Sequence, residues 1–577
     1  MAPARGSCRG AGLRRPRKLR AATPVSTPPA VVALCLLLAF LAADPAPALA
    51  AQEGISAQEA VRAAARDPKV VEERRENHGL THSANMVEGN WEIAYFAGGR
   101  EVALVVVDPA TGQVRESWTG YQVAWKMARG YPGAFGHKLN APYVFLPLCA
   151  LFLIGLVDWR HPLRLASLDL IVLLGFGLSN FFFNRAQIGI SVPLQYPVLA
   201  YLMGRALWIG FRGSGEGVRP VWPAAWLLIA ALFLMGVRAG LNVADSGAID
   251  VGYAGVVGAD RVAHGEPLYG HFPKDVSEGD TYGPVNYYAY VPFEAIWPWH
   301  GTWDDLPAAH AAAVFFDVAT FALLILLGYR IRPGPQGGKL AATLAFGWAA
   351  YPYTAYALQS NSNDTLVGLL LVATLLVLAR PAARGVTLAL ATFTKFAPVV
   401  LAPLFAMYRP RGTSQSAARG RSVAAFCVAF VGVSVLVMLW PAIDPGLGTF
   451  WERTIGYQAG RHSPFSIWGQ VPGLEPLRVA IMVAVGLLAI ALAFRPRRKT
   501  LGQMAALASA LLIGVQITAE HWFYLYIVWF YPLLLVAMAT LERERAAAPW
   551  TGGYSERPAG DVRVEGRVVP AASPDRE

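Results

Sequence analysis

Cysteine is nearly absent from this chain: Cys8, Cys35, Cys149 and Cys427 are the four in 577 residues. The first two fall in an amino-terminal leader and the last two inside separate apolar runs. No disulfide framework or cysteine metal site is indicated. Charge is thin as well, with Asp, Glu, Lys and Arg making up 15% of the residues against 55% hydrophobic ones. With a mean hydropathy of +0.39, this is the composition of a membrane protein. The net charge of +11 does not point to nucleic acid, because the Lys and Arg residues sit in short clusters between apolar runs. That pattern follows the positive-inside rule. The chain also lacks a two-half repeat, and few ionisable residues lie in the middle of an apolar run.

Residues 1–50 read as a signal peptide or uncleaved anchor. Arg14, Arg15, Arg17, Lys18 and Arg20 precede the apolar run Ala30–Ala42, and Ala48-Leu49-Ala50 offers an A-x-A cleavage site. Residues 51–140 are polar enough for a small α+β domain, outside the cell in either case. Ser56-Ala57-Gln58-Glu59 is a capping box, predicting a helix from Ser56 to about Glu76. Strand-like runs follow at Trp91–Phe96 and Glu101–Val107, joined by a hairpin turn at 97–100, and a turn at 108–112 leads into Gln113–Trp118. No catalytic set is visible here.

Beyond residue 140 the sequence predicts an all-α polytopic bundle of about eleven spans. They lie near 142–158, 165–183 and 191–211, then 222–243, 308–328, 340–356 and 365–379, and finally 421–440, 477–494, 501–517 and 524–541. The connections at 159–164, 212–219, 330–339, 380–384, 409–421, 495–499 and 542–545 are basic or mixed and fall inside if the amino-terminal domain is outside. For this alternation to hold, Val386–Tyr408 must enter and leave on the same side. Lys395 and Pro398 stand at its middle, which suits a re-entrant pair of short helices. The competing reading is one tilted span with a snorkelling lysine. The tail, 546–577, is polar, Gly/Pro-rich and expected to be disordered on the cytoplasmic side.

The outer connections collect the polar residues. The longest, Asp245 to about Trp299, holds eight carboxylates (Asp245, Asp250, Asp260, Glu266, Asp275, Glu278, Asp280, Glu294) against Arg261 and Lys274. Others bring Asn361, Asn363 and Asp364, then Arg453, Arg461 and His462, and lastly His521. Carboxylates abstract hydroxyl protons, cations hold phosphate, and aromatic faces suit sugar rings and interfacial lipid. Each piece has a plain structural reading too. An acidic loop is usually solvated, Trp and Tyr at span ends form the interfacial belt, and His521 suits a pairing with Glu520 or a backbone carbonyl.

Taken in order, several runs resemble a known family. Ile249–Gly270 (IDVGYAGVVGADRVAHGEPLYG) and Thr281–Glu294 (TYGPVNYYAYVPFE) are followed by SNSND at Ser360–Asp364 and TKFAPVVLAPL at Thr394–Leu404. YQAGRHSPFSIWG at Tyr457–Gly469 and HWFYLYIVWFYP at His521–Pro532 complete the set. Together they are similar to GT-C glycosyltransferases, in particular the polyprenyl-phosphate-mannose-dependent enzymes of glycosyltransferase family 87. The resemblance spans roughly Trp222 to Leu541. VVVDPATGQV in the outer domain resembles a PepSY-type module.

The resemblance implies a plasma-membrane hexosyltransferase with its site on the outer face. It would move a sugar, with mannose the first candidate, from a polyprenyl-phosphate donor to a cell-envelope glycolipid or glycan with inversion. Asp250 matches the position of the family's catalytic acid, and Asp245 is the second choice. Tyr253, Lys395, Asn361, Asn363, Asp364, Arg453, Arg461, His462 and His521 are the candidate substrate-binding residues. Asp245 and Asp250 are five apart without a D-x-D, so no metal is indicated. The implied domains are 222–545 for the transferase, 141–221 for additional spans and 51–140 for the PepSY-like module. A transporter or lipid flippase with an outer sensor domain is the competing class. A non-catalytic anchor is the third, but it leaves the polar outer loops unexplained.

This topology predicts that single cysteines at residues 100 and 460 react with a membrane-impermeant maleimide on intact cells, whereas those at 335 and 497 do not. Outside labelling at 335 would put the acidic loop in the cytoplasm.

Overall fold

The computed structural model describes residues 54–87, 89–129, 137–409 and 417–541. The leader and the tail after Leu541 lie outside the described residues. The chain divides into two compact units, Met1–Ser117 and Trp118–Glu577.

In the first unit the capping box forms as the sequence demands, with Ser56 and Glu59 exchanging side-chain and backbone hydrogen bonds at the start of α1, Ala57–Ala64. The helix does not continue to Glu76. It stops at Ala65, and α2 (Pro68–Glu76) starts afresh with Asp67 as its cap. Pro68 explains the break, because it has no N–H to continue the ladder but fits a first helical turn. The strands β1 (Thr81–Val87), β2 (Asn90–Ala97), β3 (Arg100–Val107) and β4 (Val114–Thr119) lie in the order 1-2-3-4. The sequence did not announce β1, which reads THSANMV and is largely exposed. Ala60, Ala64 and Val70 pack against Ile93, Tyr95 and Val105 to make the small core.

The second unit is a helical bundle. In chain order it contains α3 (Pro142–Leu156), α4 (Leu165–Leu174), α5 (Phe176–Phe183), α6 (Ile188–Arg212) and α7 (Ala224–Ala244). Then come α8 (Asp250–His264), α9 (Pro307–Ile331), α10 (Gly334–Ala350), α11 (Pro352–Gln359) and α12 (Asp364–Leu376). Later come α13 (Pro381–Thr392), α14 (Ala402–Ala406), α15 (Ala417–Pro441), α16 (Glu475–Phe494), α17 (Leu501–Thr518) and α18 (Ile527–Thr540), with shorter helical turns between them. Among the described residues, six helical stretches are long and apolar enough to cross a membrane, and four further apolar helices are shorter. Helices α10, α17 and α18 are enclosed by their neighbours. Helices α7, α15 and α16 instead turn large apolar side chains outward, with Phe233 69%, Val428 73% and Leu487 62% exposed. A surface of this kind belongs against lipid.

Buried ion pairs link helices of the bundle, where a low dielectric favours the pairing of opposite charges. Arg205 on α6 meets Asp169 on α4 at 2.8 Å. Arg238 on α7 meets Asp317 on α9 at 2.8 Å, and Trp348 also donates to that carboxylate.

The stretch Val386–Tyr408 is two short helical pieces. Helix α13 ends at Thr392, a turn carries Lys395, and a 3-10 segment (Ala397–Leu401) leads into α14. The two arms run back alongside each other, because the buried Arg384 near the start of α13 reaches the end of α14. Its Nε donates to the Phe405 carbonyl at 3.0 Å and its Nη1 to the Leu378 carbonyl at 2.9 Å, with Ser422 of α15 at 3.3 Å from Nη2. The rings of Tyr408 and Phe426 lie within 6 Å of the same guanidinium. Gly385 lets α15 approach, since a Cβ there would press on the Phe426 carbonyl at 2.6 Å. The result is a hairpin held closed at its base by one arginine, with Lys395 at its tip.

Hydrogen bonds to a charged donor are worth about 1.5–3 kcal/mol each. Arg384→Met is therefore expected to lower unfolding stability by about 3 kcal/mol or more in thermal melts in lipid nanodiscs. Arg384→Lys should not rescue it, because one ammonium cannot span the same carbonyls. A wild-type melting profile for Arg384→Met would show that the hairpin does not depend on this residue.

Candidate active site

The acidic connection is more ordered than a loop. Asp250 opens helix α8, where its Oδ1 accepts the Val251 N–H at 2.9 Å. Sequence alone suggests that Gly252 lets the backbone turn, yet it lies inside this helix. Gly252, Gly255 and Gly258 recur every third residue and line one face. A Cβ at the first would strike the Asn361 carbonyl, and at the other two the rings of Tyr290 and Tyr287. The glycines thus let α8 lie directly on its neighbours, fixing Asp250 against the segment around Asn361. Asn361 itself adopts a left-handed conformation, φ 48°, which asparagine tolerates. Its amide is held by Asn242 at 2.8 Å and by Ser246 at 2.9 Å.

Asp250 is open to two adjoining cavities, of about 60 Å³ and about 220 Å³, which share Asp250, Glu278 and Tyr282 as walls. The smaller is closed by Asp364, Tyr457, Arg461, His521 and Tyr526. Asp250 is exposed at the start of α8 and lines both spaces, yet the protein around it is dense. Desolvation accordingly raises its pKa, opposed by the Val251 N–H and by the positive charges of Arg461 and Lys395.

Lys395, Arg453 and Arg461 were expected, with His462 and His521, to hold an anion here, and the structure separates them. Lys395, at the hairpin tip, is bound to Asp364 at 2.6 Å. Trp529 donates to the same oxygen at 2.8 Å, and the rings of Tyr282, Tyr526 and Trp529 stand 5.1–5.4 Å from the ammonium. Its anionic partner is therefore a protein carboxylate. Arg453 is also committed, since its Nε and Nη2 clasp both oxygens of the buried Asp280 at 2.7–3.0 Å. Asp280 in turn accepts the Gly270 N–H at 2.6 Å, so this pair ties down the segment 270–280. Arg461 differs from both. Its guanidinium lies 5.5 Å from the Trp125 ring and 5.8 Å from Tyr457, it lines the cavity with Asp250, and its buried Nε finds no hydrogen-bond partner among the described residues.

His521 faces the cavity, with Nδ1 hydrogen-bonded to the Ser463 hydroxyl at 2.9 Å. Burial first, then the charges of Arg461 and Lys395, push its pKa well down, so the imidazole is neutral near pH 7. It does not pair with Glu520, which His462 takes at 3.0 Å on the exposed side.

The remaining candidates are placed elsewhere. Asp245 accepts the Lys138 N–H at 3.1 Å and does not line the cavity. Tyr253 is buried, stacked on Trp303 at 4.8 Å and bonded to Asp275 at 3.1 Å. Asn363 pairs with Asn286 at 2.5 Å. Conversely, the cavity uses Glu278, Tyr282, Tyr457 and Tyr526, which sequence reasoning did not single out. Tyr282, Tyr457 and Tyr526 lie within three of the runs quoted for the family resemblance, and their aromatic character was the signal available.

Residues 281–519 match the sequence model of glycosyltransferase family 87. A match to this family implies a membrane glycosyltransferase, and the outward apolar surface agrees with a membrane location. The matched stretch includes Tyr282, Asp364, Lys395, Arg453 and Arg461. Asp250 and His521 lie outside it, and the fold brings them to the same cavity. No curated protein matches the chain.

Removing one member of a buried ion pair strands the other, typically at about 3–5 kcal/mol. Lys395→Met should therefore destabilise the protein by that order. Adding Asp364→Asn to it should recover part of the loss, measured by thermal unfolding. Equal melting temperatures for the single and double variants would dissolve the pair's structural role.

Proposed function

We propose that this protein transfers a hexose, with mannose the first candidate, from a polyprenyl-phosphate donor to a cell-envelope acceptor, at the outer membrane face and with inversion. The observation that carries this reading is that a carboxylate and a half-buried arginine, whose buried Nε has no hydrogen-bond partner among the described residues, line one aromatic-walled cavity. Asp250 is the base. An acceptor hydroxyl attacks the anomeric carbon as Asp250 Oδ takes its proton, and the bond from that carbon to the phosphate oxygen breaks with both electrons going to phosphate. The transition state is oxocarbenium-like, as in other displacements at an anomeric centre.

Phosphate leaves as an anion without a general acid, so the requirement is for positive charge in a water-poor site. Arg461 supplies the direct contact through its planar fork. Lys395, held on Asp364, adds field from behind. Neutral His521 offers a hydrogen bond without competing for the charge. The rings of Tyr282, Tyr457 and Tyr526 form walls suited to the apolar face of a sugar. The amino-terminal unit, PepSY-like in sequence, would serve binding or regulation outside the membrane. The transporter alternative is not favoured, because the family match is to transferases.

Asp250→Asn is expected to lower kcat by about 10²- to 10⁴-fold while donor binding persists. Arg461→Met should raise the donor KM instead. Because the base works ionised and its pKa is raised, turnover should fall on acidification at a higher pH than for an ordinary carboxylate. These outcomes are read in an assay of purified protein with labelled polyprenyl-phosphate sugars and extracted envelope acceptors. Full turnover by Asp250→Asn would remove the mechanism.

A further inference from the structure

A cavity far larger than those at Asp250 opens elsewhere among the described residues. A groove of about 1280 Å³ runs between the end of α7 and the start of α9, larger than the roughly 300–1,000 Å³ of ordinary small-molecule pockets. Its lower wall is apolar, built from Val243, Val314, Phe315 and Val318, on two helices long and apolar enough to cross a membrane. Val243 is 80% and Phe315 55% exposed, so this wall faces lipid. Its upper end is polar and aromatic, with Ser246, Asp304, Asp305, Trp297 and Trp303.

Two features select an occupant. The first is charge. Asp304 and Asp305 stand at the polar end, and among the described residues no lysine or arginine lines the groove. A phosphate headgroup would be repelled, whereas hydroxyls can donate to carboxylates and sugar rings can lie on the tryptophans. The second is position. Ser246, Gly247 and Ala248 line the groove, while Ile249 and Asp250 line the cavity beyond. Ala248 and Asp250 are two residues apart, at most about 7 Å of chain. The Trp303 indole braces this thin wall by donating to the Ala248 carbonyl at 3.1 Å.

We infer that the groove between α7 and α9 holds the lipid tail of an uncharged, hydroxyl-bearing glycolipid acceptor, whose head crosses the Gly247–Asp250 wall to present a hydroxyl to Asp250. This rests on the transferase reading above and assigns its two lipids to separate places. The donor phosphate goes to Arg461, and the acceptor tail goes to a groove whose acidic end excludes that phosphate.

The test uses the full-length protein in nanodiscs with two photoactivatable probes, a neutral diacyl glycolipid and a polyprenyl phosphate. The glycolipid should label peptides containing Phe315 and Val318, and Val318→Trp should cut that labelling tenfold or more. The same variant should raise the acceptor KM by a similar factor, with the donor KM moving far less. Asp305 is exposed, so Asp305→Lys can test the charge argument without disturbing the core. It should admit the polyprenyl-phosphate probe, which the wild-type groove refuses. Labelling of the wild-type groove by polyprenyl phosphate, or by neither probe, would overturn the inference. A parallel rise in both KM values for Val318→Trp would do the same. Groove labelling by the glycolipid with no sugar transfer from the donor would overturn the transferase reading, and the acceptor role with it.

Discussion

The buried pair between Lys395 and Asp364 organises the centre of this protein. An ammonium at the tip of a hairpin inside the bundle must find a counter-charge. Asp364, at the first turn of α12, provides it at 2.6 Å. The pair fixes how deep the hairpin reaches, and Arg384 fixes its base. Because Trp529 donates to the same carboxylate, α18 is drawn to the same point. Three segments far apart in sequence therefore converge on one oxygen, beside the cavity that Asp250 enters from a fourth.

This arrangement divides the charges into those that hold the fold and those left for chemistry. Lys395 and Arg453 each have a carboxylate of their own, and His462 is taken by Glu520. Arg461 lies against the Trp125 and Tyr457 rings, and its buried Nε has no hydrogen-bond partner among the described residues. Asp250 is likewise tied only to the backbone N–H beside it. In the proposed transfer, a carboxylate and a cation placed in this way would serve as base and as anchor for the phosphate leaving group. The hydrogen-bonded pairs around them keep both in place before any substrate arrives.

Helix α8 does comparable work by packing. Three glycines at a spacing of three remove the side chains that would hold it off Asn361, Tyr287 and Tyr290. The close approach brings the start of the helix, and hence Asp250, to the boundary between the cavity that it lines and the groove between α7 and α9. One short stretch of chain thus serves both spaces.

Much of the architecture was legible in the sequence. Long apolar runs and the basic residues between them announce membrane helices, because burial in lipid depends on local composition. The capping box at Ser56, the hairpin around 97–100 and the broken helix at Lys395–Pro398 were readable for the same reason, since each rests on residues adjacent in the chain. Asp250 and its loop stood out through charge and family resemblance. Helix α8 did not, because its glycines signal a loop unless something packs against them. The sequence also ranked Arg453, Arg461 and Lys395 alike, as cations in polar outer segments. Which of them is spent and which is free depends on partners such as Asp280 and Asp364, brought near by the bundle from distant parts of the chain. Composition and periodicity are local quantities, whereas the pairing of a buried charge is settled by tertiary neighbours, and that pairing decides where an anion can bind.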